Sequence, residues 1–191
     1  MGRPKGFETD VAVERAMRVF WRKGYGPTTP QELAGELGIG KGSLYNTFTS
    51  KHRLFELALR RYGEMRVEAL ADLLNRPGPV KPLLREALER LVSAPDDALR
   101  HGCLAVNTAA ELAGADEIAT EVVSDVFARM EGALRAAVER GRRNGEIGPS
   151  CDPDEAASML LSVVIGMSVL ARTGQRPEQR QRTVNAAIAA L

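Results

Sequence analysis

The sequence predicts an all-α protein of about nine helices: a small N-terminal three-helix domain with a helix-turn-helix, then a larger helical domain. Three observations carry this. Apolar residues recur at helical spacing along most of the 191 residues, and no stretch alternates as a strand does. The segment Thr28–Lys51, TTPQELAGELGIGKGSLYNTFTSK, has the spacing of two short helices joined by a glycine turn. The segment Asn75–Pro82, NRPGPVKP, breaks the pattern with three prolines and a glycine.

The elements follow in order. Val13, Ala16, Met17 and Phe20 form the i, i+3, i+4, i+7 stripe of a first helix, capped by Thr9 or Asp10 and ended at Gly24. A second helix fits Pro30–Leu37, with Thr29 as N-cap, proline at the first position and Glu32 at the third. Gly38 supplies the left-handed residue of the turn. A third helix fits Lys41–Phe48. Ser50 caps a long fourth helix, Lys51–Leu74. Beyond the break come helices over Leu83–Ser93, Cys103–Leu112, Glu117–Asn144, Pro153–Arg172 and Pro177–Leu191. The expected domains are residues 1–52, which read DNA, and 53–191, which regulate and dimerise.

Charge agrees with that division. Residues 1–62 hold 11 Lys/Arg against 6 Asp/Glu, a net +5, and residues 63–191 hold 15 against 19, a net −4. Positive charge therefore gathers on the helix-turn-helix, where phosphate has to be met. The two cysteines, Cys103 and Cys151, have no metal-ligand spacing and fit a reducing cytosol. The N-terminus lacks the apolar run of a signal peptide. The longest nearly apolar run, Met159–Ala171, is 13 residues and is expected to be a buried helix rather than a membrane span.

In the third helix Leu44 and Phe48 are i, i+4 and should face inward. Lys41, Gly42, Ser43, Tyr45, Asn46 and Thr47 then cover the face offered to DNA. Tyr45 suits packing on sugar with its hydroxyl on phosphate, and Lys41 and Asn46 suit base or phosphate contacts. Gly42 allows close approach. Lys51 opens the fourth helix, where free amides also attract phosphate. Thr28, Thr29 and Gln31 open the second helix, and Arg3 and Lys5 lie on an N-terminal arm that can reach a neighbouring groove.

The block AMRVFWRKGYGPTTPQELAGELGIGKGSLYNTFTSKHRLFELAL resembles the N-terminal domain of TetR-family (TetR/AcrR) repressors. The matching residues are Ala16 and Phe20, Gly24-Tyr25, Thr28-Thr29, Leu33-Ala34, Leu37-Gly38-Ile39, Ser43-Leu44-Tyr45, Phe48, Ser50-Lys51 and Leu54-Phe55. The GRPKGF arm and GCLAVNTAAEL also resemble one branch. The resemblance implies a homodimer on a palindromic double-stranded operator, repression, and release of DNA when a small effector binds. Carried over by position, it implies DNA contacts at Thr28, Thr29, Lys41, Gly42, Ser43, Tyr45, Asn46 and Lys51. Pro30 departs from the pattern, standing where many members have a polar or basic side chain that reaches DNA.

Other chemistries find less support. Gly35–Lys41 fits GxxxxGK, but Gly42 follows where a phosphate loop needs Ser or Thr, and no strand precedes it. His52 and His101 are the only histidines: His52 lies in the basic start of the fourth helix, where solvent or phosphate is the expected neighbour, and His101, two residues from Cys103, has no obvious orienting acid nearby. No cofactor or metal motif is found, so an enzyme is not expected. Two alternatives remain beside the regulator: an architectural nucleic-acid binder without a sensor, and a small helical enzyme or ligand carrier.

Only Phe127 of the nine aromatics falls after Tyr62, so any cavity in the second domain should be aliphatic and suit an apolar effector. Cys103, Asn107, Thr108 and Glu111 share a helix face and are candidate anchors. Phe127, Met130, Met159 and Met167 are candidate lining. The dimer is expected on the last two helices, through Met159, Ser162, Val163 and Gly166, and through the stripe Val184, Ala187, Ile188 and Leu191.

Overall fold

A computed structural model describes residues 9–92, 101–174 and 176–191. Among the described residues there are nine helices and no strand: α1 Thr9–Lys23, α2 Pro30–Leu37, α3 Lys41–Phe48, α4 Lys51–Leu74, α5 Val80–Val92, α6 Leu104–Leu112, α7 Glu117–Arg143, α8 Pro153–Arg172 and α9 Pro177–Ala189. Arg3 and Lys5 lie outside the described residues.

The N-terminal helices close around a small aromatic and aliphatic core. α1 buries Ala12, Val13, Ala16, Met17, Val19 and Phe20. Phe20 meets Phe55 of α4 edge-on at 5.0 Å between ring centres, a geometry favoured by the ring quadrupoles. Leu33, Leu44 and Leu54 bring α2, α3 and α4 onto the same core, each fully buried and each contributing about 1.5–3 kcal/mol by leaving water.

α2 starts with a complete capping box. The Glu32 amide donates to Thr29 Oγ1 at 3.3 Å, and the Thr29 amide donates to the Glu32 carboxylate at 2.9 Å. The hydrogen bond from Lys23, then that from the Thr29 amide, hold the Glu32 carboxyl down to about 2. The box is therefore intact above the ordinary carboxylate range and fades only as pH falls from about 4.5 towards 2. Gly38, at φ 68°, turns the chain from α2 to α3.

α4 belongs to both halves of the molecule. It packs on α1 and α3 on one hand and on α7 and α5 on the other. α7 lies in the middle of the body between α4, α6 and α8, and α9 packs chiefly on α5. α4 and α7 approach closely at Gly63 of α4, where an added methyl would overlap Val126 Cγ2 of α7. Gly63→Ala is expected to lower stability by about 1–3 kcal/mol in urea denaturation, because a packed core yields little to an extra carbon.

Three expectations need correction. α5 begins at Val80, not Leu83, with Pro82 inside its first turn. Amides there have no intrahelical partner, so proline loses nothing, and the Val80 amide is instead capped by the Glu146 carboxylate at 2.5 Å. Secondly, α8 spans Pro153–Arg172 as expected, but it is not the buried helix expected of its apolar run. Its 20 residues have a mean hydropathy of 1.5 over an 18-residue window, enough by length and composition to cross a membrane. α8 packs on α7, α5 and α9, but only a third of that window is buried. Thirdly, the apolar stripe of α9 does not await a partner. Val184 is fully buried, and Ala187, Ile188 and Leu191 are 5%, 8% and 8% exposed, within the core of their own chain.

Candidate nucleic-acid interface

α3 is an amphipathic peg. Leu44 and Phe48, 0% and 2% exposed, fix its inner face. Lys41, Gly42, Ser43, Tyr45, Asn46 and Thr47 are all exposed on the other. Tyr45 is 44% exposed, which leaves its ring and hydroxyl open to a partner. The N-cap of α3 is Gly40, which makes no side-chain cap bond, so the first amides remain open to an anion. No heavy atom lies within 4 Å of a Cβ built on Gly42, so backbone can approach DNA there.

The join from α3 to α4 is a γ-turn that the sequence did not announce. Thr49 has φ 65° and ψ −47°, and the Ser50 amide bonds the Phe48 carbonyl at 2.6 Å. Positive φ strains a β-branched residue. The turn lets α4 start two residues after α3, with Ser50 Oγ accepting the Arg53 amide at 3.0 Å.

α2 presents Thr29 and Gln31, both exposed. Two other expected contacts are occupied inside the protein. Thr28 is 1% exposed, and its hydroxyl donates to the Gly24 carbonyl at 2.7 Å. Lys51 Nζ donates to the carbonyls of Tyr25 at 2.7 Å and Thr28 at 2.8 Å, with Gly26 at 3.5 Å. It also sits 4.1 Å over the Tyr25 ring. Partial burial lowers the Lys51 pKa, and the Glu111 charge works the other way. This lysine ties the α1–α2 loop to α4 rather than reaching for phosphate. Lys51→Ala should therefore cost about 1–3 kcal/mol in urea denaturation, through carbonyls left without a donor.

The candidate effector residues also scatter. A cavity of about 100 Å³ opens between α4, α5, α7 and α8, walled by aliphatic side chains including Leu70, Leu73, Leu88 and Leu134, with Arg66 and Arg90 in its lining. Met130 is the one candidate that lines it. Thr108 and Met167, each 2% exposed, are core. Phe127 and Met159 are half-buried against that core. Cys103 is the N-cap of α6, and burial drives up the pKa of the neighbouring Tyr62 hydroxyl.

Asn107 Nδ2 donates to the His101 carbonyl at 2.8 Å, and its Oδ1 accepts from Arg172 at 2.7 Å. Glu111 accepts the backbone amides of Tyr25 and Gly26 at 3.0 and 2.6 Å. The polar face of α6 therefore meets the reading domain and the end of α8, not an aliphatic pocket. Two further bonds cross the same junction: Trp21 Nε1 to the Gly102 carbonyl at 2.8 Å, and His52 Nε2 with Asp116 at 2.7 Å.

Known proteins share this arrangement. Residues 12–58 match the family model for bacterial regulatory proteins of the tetR family, and residues 81–187 match that for the tetracyclin repressor-like C-terminal domain. The chain is 30% identical to YezE of Bacillus subtilis (strain 168), an uncharacterized HTH-type transcriptional regulator, over 100% of both chains. It is 30% identical to the HTH-type transcriptional repressor ComR of Escherichia coli (strain K12), over 93% of this chain and 86% of ComR. Among solved structures, a cysteine mutant of the TetR-family regulator CifR, complexed with 26-bp double-strand operator DNA, superposes with a TM-score of 0.85. It is 30% identical, with 99% of each chain covered.

Proposed function

Because this chain belongs to the TetR family of bacterial regulatory proteins, we propose that it acts in the cytoplasm as a homodimeric repressor of a palindromic operator. A small apolar effector releases the DNA. The observation that carries this reading is α3: an exposed face of Lys41, Gly42, Ser43, Tyr45, Asn46 and Thr47 held rigid by two buried side chains. Thr29 and Gln31 flank it, and Arg3 and Lys5 are further proposed DNA contacts. The operator-bound CifR structure and the repressor ComR support the reading by likeness. Residues 1–52 read DNA and residues 53–191 regulate and dimerise, with α4 crossing the boundary.

The effector's seat is the cavity between α4, α5, α7 and α8. Its aliphatic wall favours an apolar body, and the guanidinium groups of Arg66 and Arg90 favour a negative end. Occupation shifts the population towards the conformation the effector prefers and away from the one that spans two half-sites.

The dimer forms through the open side of α8. Ser162 is exposed, Ile165 and Gly166 are half-buried, and Val169 and Leu170 are 48% and 42% exposed. Met159 and Val163 flank this face, half-buried. The exposed Ala186 and Ala189 of α9 give a second smooth surface.

Footprinting on the promoter beside the protein's own gene tests the reading. One protected palindrome is expected, with log affinity falling against log salt at a slope near about −5 if about three phosphates are neutralised per subunit. Uniform coverage without a protected site would favour an architectural DNA binder.

A further inference from the structure

Lys51 and Glu111 both grip the Tyr25–Thr28 loop. The Lys51 ammonium holds the Tyr25 and Thr28 carbonyls, and the Glu111 carboxylate holds the Tyr25 and Gly26 amides. The two grips differ in origin. Lys51 opens α4, beside the recognition helix, whereas Glu111 comes from α6, in the body. The loop leads directly into Thr29, the N-cap of α2, so its position sets where α2 and then α3 stand.

The fit around the carboxylate is close. A Cβ on Gly24, which has φ 86°, would lie 2.8 Å from Glu111 Oε2, and one on Gly26 would lie 3.0 Å from Oε1. Gly24 thus serves the left-handed turn and also leaves room for the carboxylate. Glu111 is otherwise an exposed side chain. Its two oxygens are spent on neighbouring amides rather than on a surface cation, an arrangement suited to fixing a loop.

We infer that Glu111 is a positioning residue by which the body fixes the loop ahead of α2, so regulation of DNA binding runs through α6 and this carboxylate as well as along α4. The inference rests on the repressor reading only for its DNA arm. A loop held by Lys51 alone lets α2 and α3 sample more orientations. Two heads must be correctly placed together on one operator, so a fall in the competent fraction counts twice.

The test is Glu111→Ala in the full-length protein, with Glu111→Gln, which keeps an acceptor oxygen, as the milder variant. Amide hydrogen exchange is expected to speed up at Tyr25 and Gly26 in Glu111→Ala, with α7 amides unchanged. Operator affinity is expected to fall about tenfold, the result of each head being competent about a third as often, with Glu111→Gln in between. Thermal melting reports folding, and Glu111→Gln carries the test if Glu111→Ala fails to fold. Unchanged exchange at Tyr25 and Gly26 overturns the grip. Faster exchange with unchanged operator affinity overturns its role in positioning. If the unsubstituted protein protects no operator, the repressor reading fails by itself, and the exchange arm still decides whether Glu111 holds the loop.

Discussion

Tyr45→Ala is expected to weaken operator binding by about 30- to 700-fold while leaving the melting temperature and the oligomeric state unchanged. Tyr45 is 44% exposed and lies between the inward-facing Leu44 and the exposed Asn46, so its removal opens no cavity. Its ring and hydroxyl project from the same face as Lys41 and Asn46, where a groove would receive them. Losing a phosphate hydrogen bond and its packing costs about 1–2 kcal/mol per head. In the proposed dimer two heads share one operator, so it loses about 2–4 kcal/mol, which sets the fold-change. Phe48→Ala is the contrast. That side chain is 2% exposed, and its truncation should cost about 3–5 kcal/mol of stability. Fluorescence anisotropy on labelled operator, paired with melting of each variant, separates the two effects. Tyr45→Ala binding as tightly as the unsubstituted protein would remove α3 from the role of reading helix.

The parts of this molecule legible in its sequence are those governed by neighbours within a turn or two. Thr29, Pro30, Glu32 and Gly38 state the start and end of α2 in local chemistry, and each stands as expected. Ser50 as the cap of α4 follows the same logic. The residues misread are those whose partners are distant along the chain. A lysine at a helix start beside a DNA-reading segment suggests phosphate, and only the folded loop reveals carbonyls converging on Lys51. Glu111 lies 85 residues from the Gly26 amide that it holds, and no periodicity encodes such a bond. Thr49 had no signal either, because a β-branched residue is a poor guess for positive φ. The α9 stripe was visible, but an apolar stripe does not say whether its own chain or another covers it. Val184, Ala187, Ile188 and Leu191 are covered by their own chain.

That burial changes how the dimer has to be tested. Deleting 183–191 would strip Val184, Ala187, Ile188 and Leu191 from the body's own core, so loss of the dimer would only report unfolding. Gly166→Glu is the sharper variant. Space around Gly166 is open, with no heavy atom within 4 Å of an added Cβ, so one subunit can carry the larger side chain with its fold intact. In the proposed dimer the same position lies where two α8 helices cross, and small residues set how closely they approach. Two carboxylates would then be buried against each other without counter-charges, a cost of several kcal/mol. Gly166→Glu is therefore expected to sediment as a folded monomer at concentrations where the unsubstituted protein is a dimer. The monomer keeps its reading head intact but loses the effective concentration that links two half-sites, so operator affinity should fall by about 100-fold or more. Affinity for an isolated half-site should stay unchanged, because Gly166 touches nothing in the reading domain. A Gly166→Glu protein that remains dimeric and protects the full operator would place the interface elsewhere than on the open face of α8.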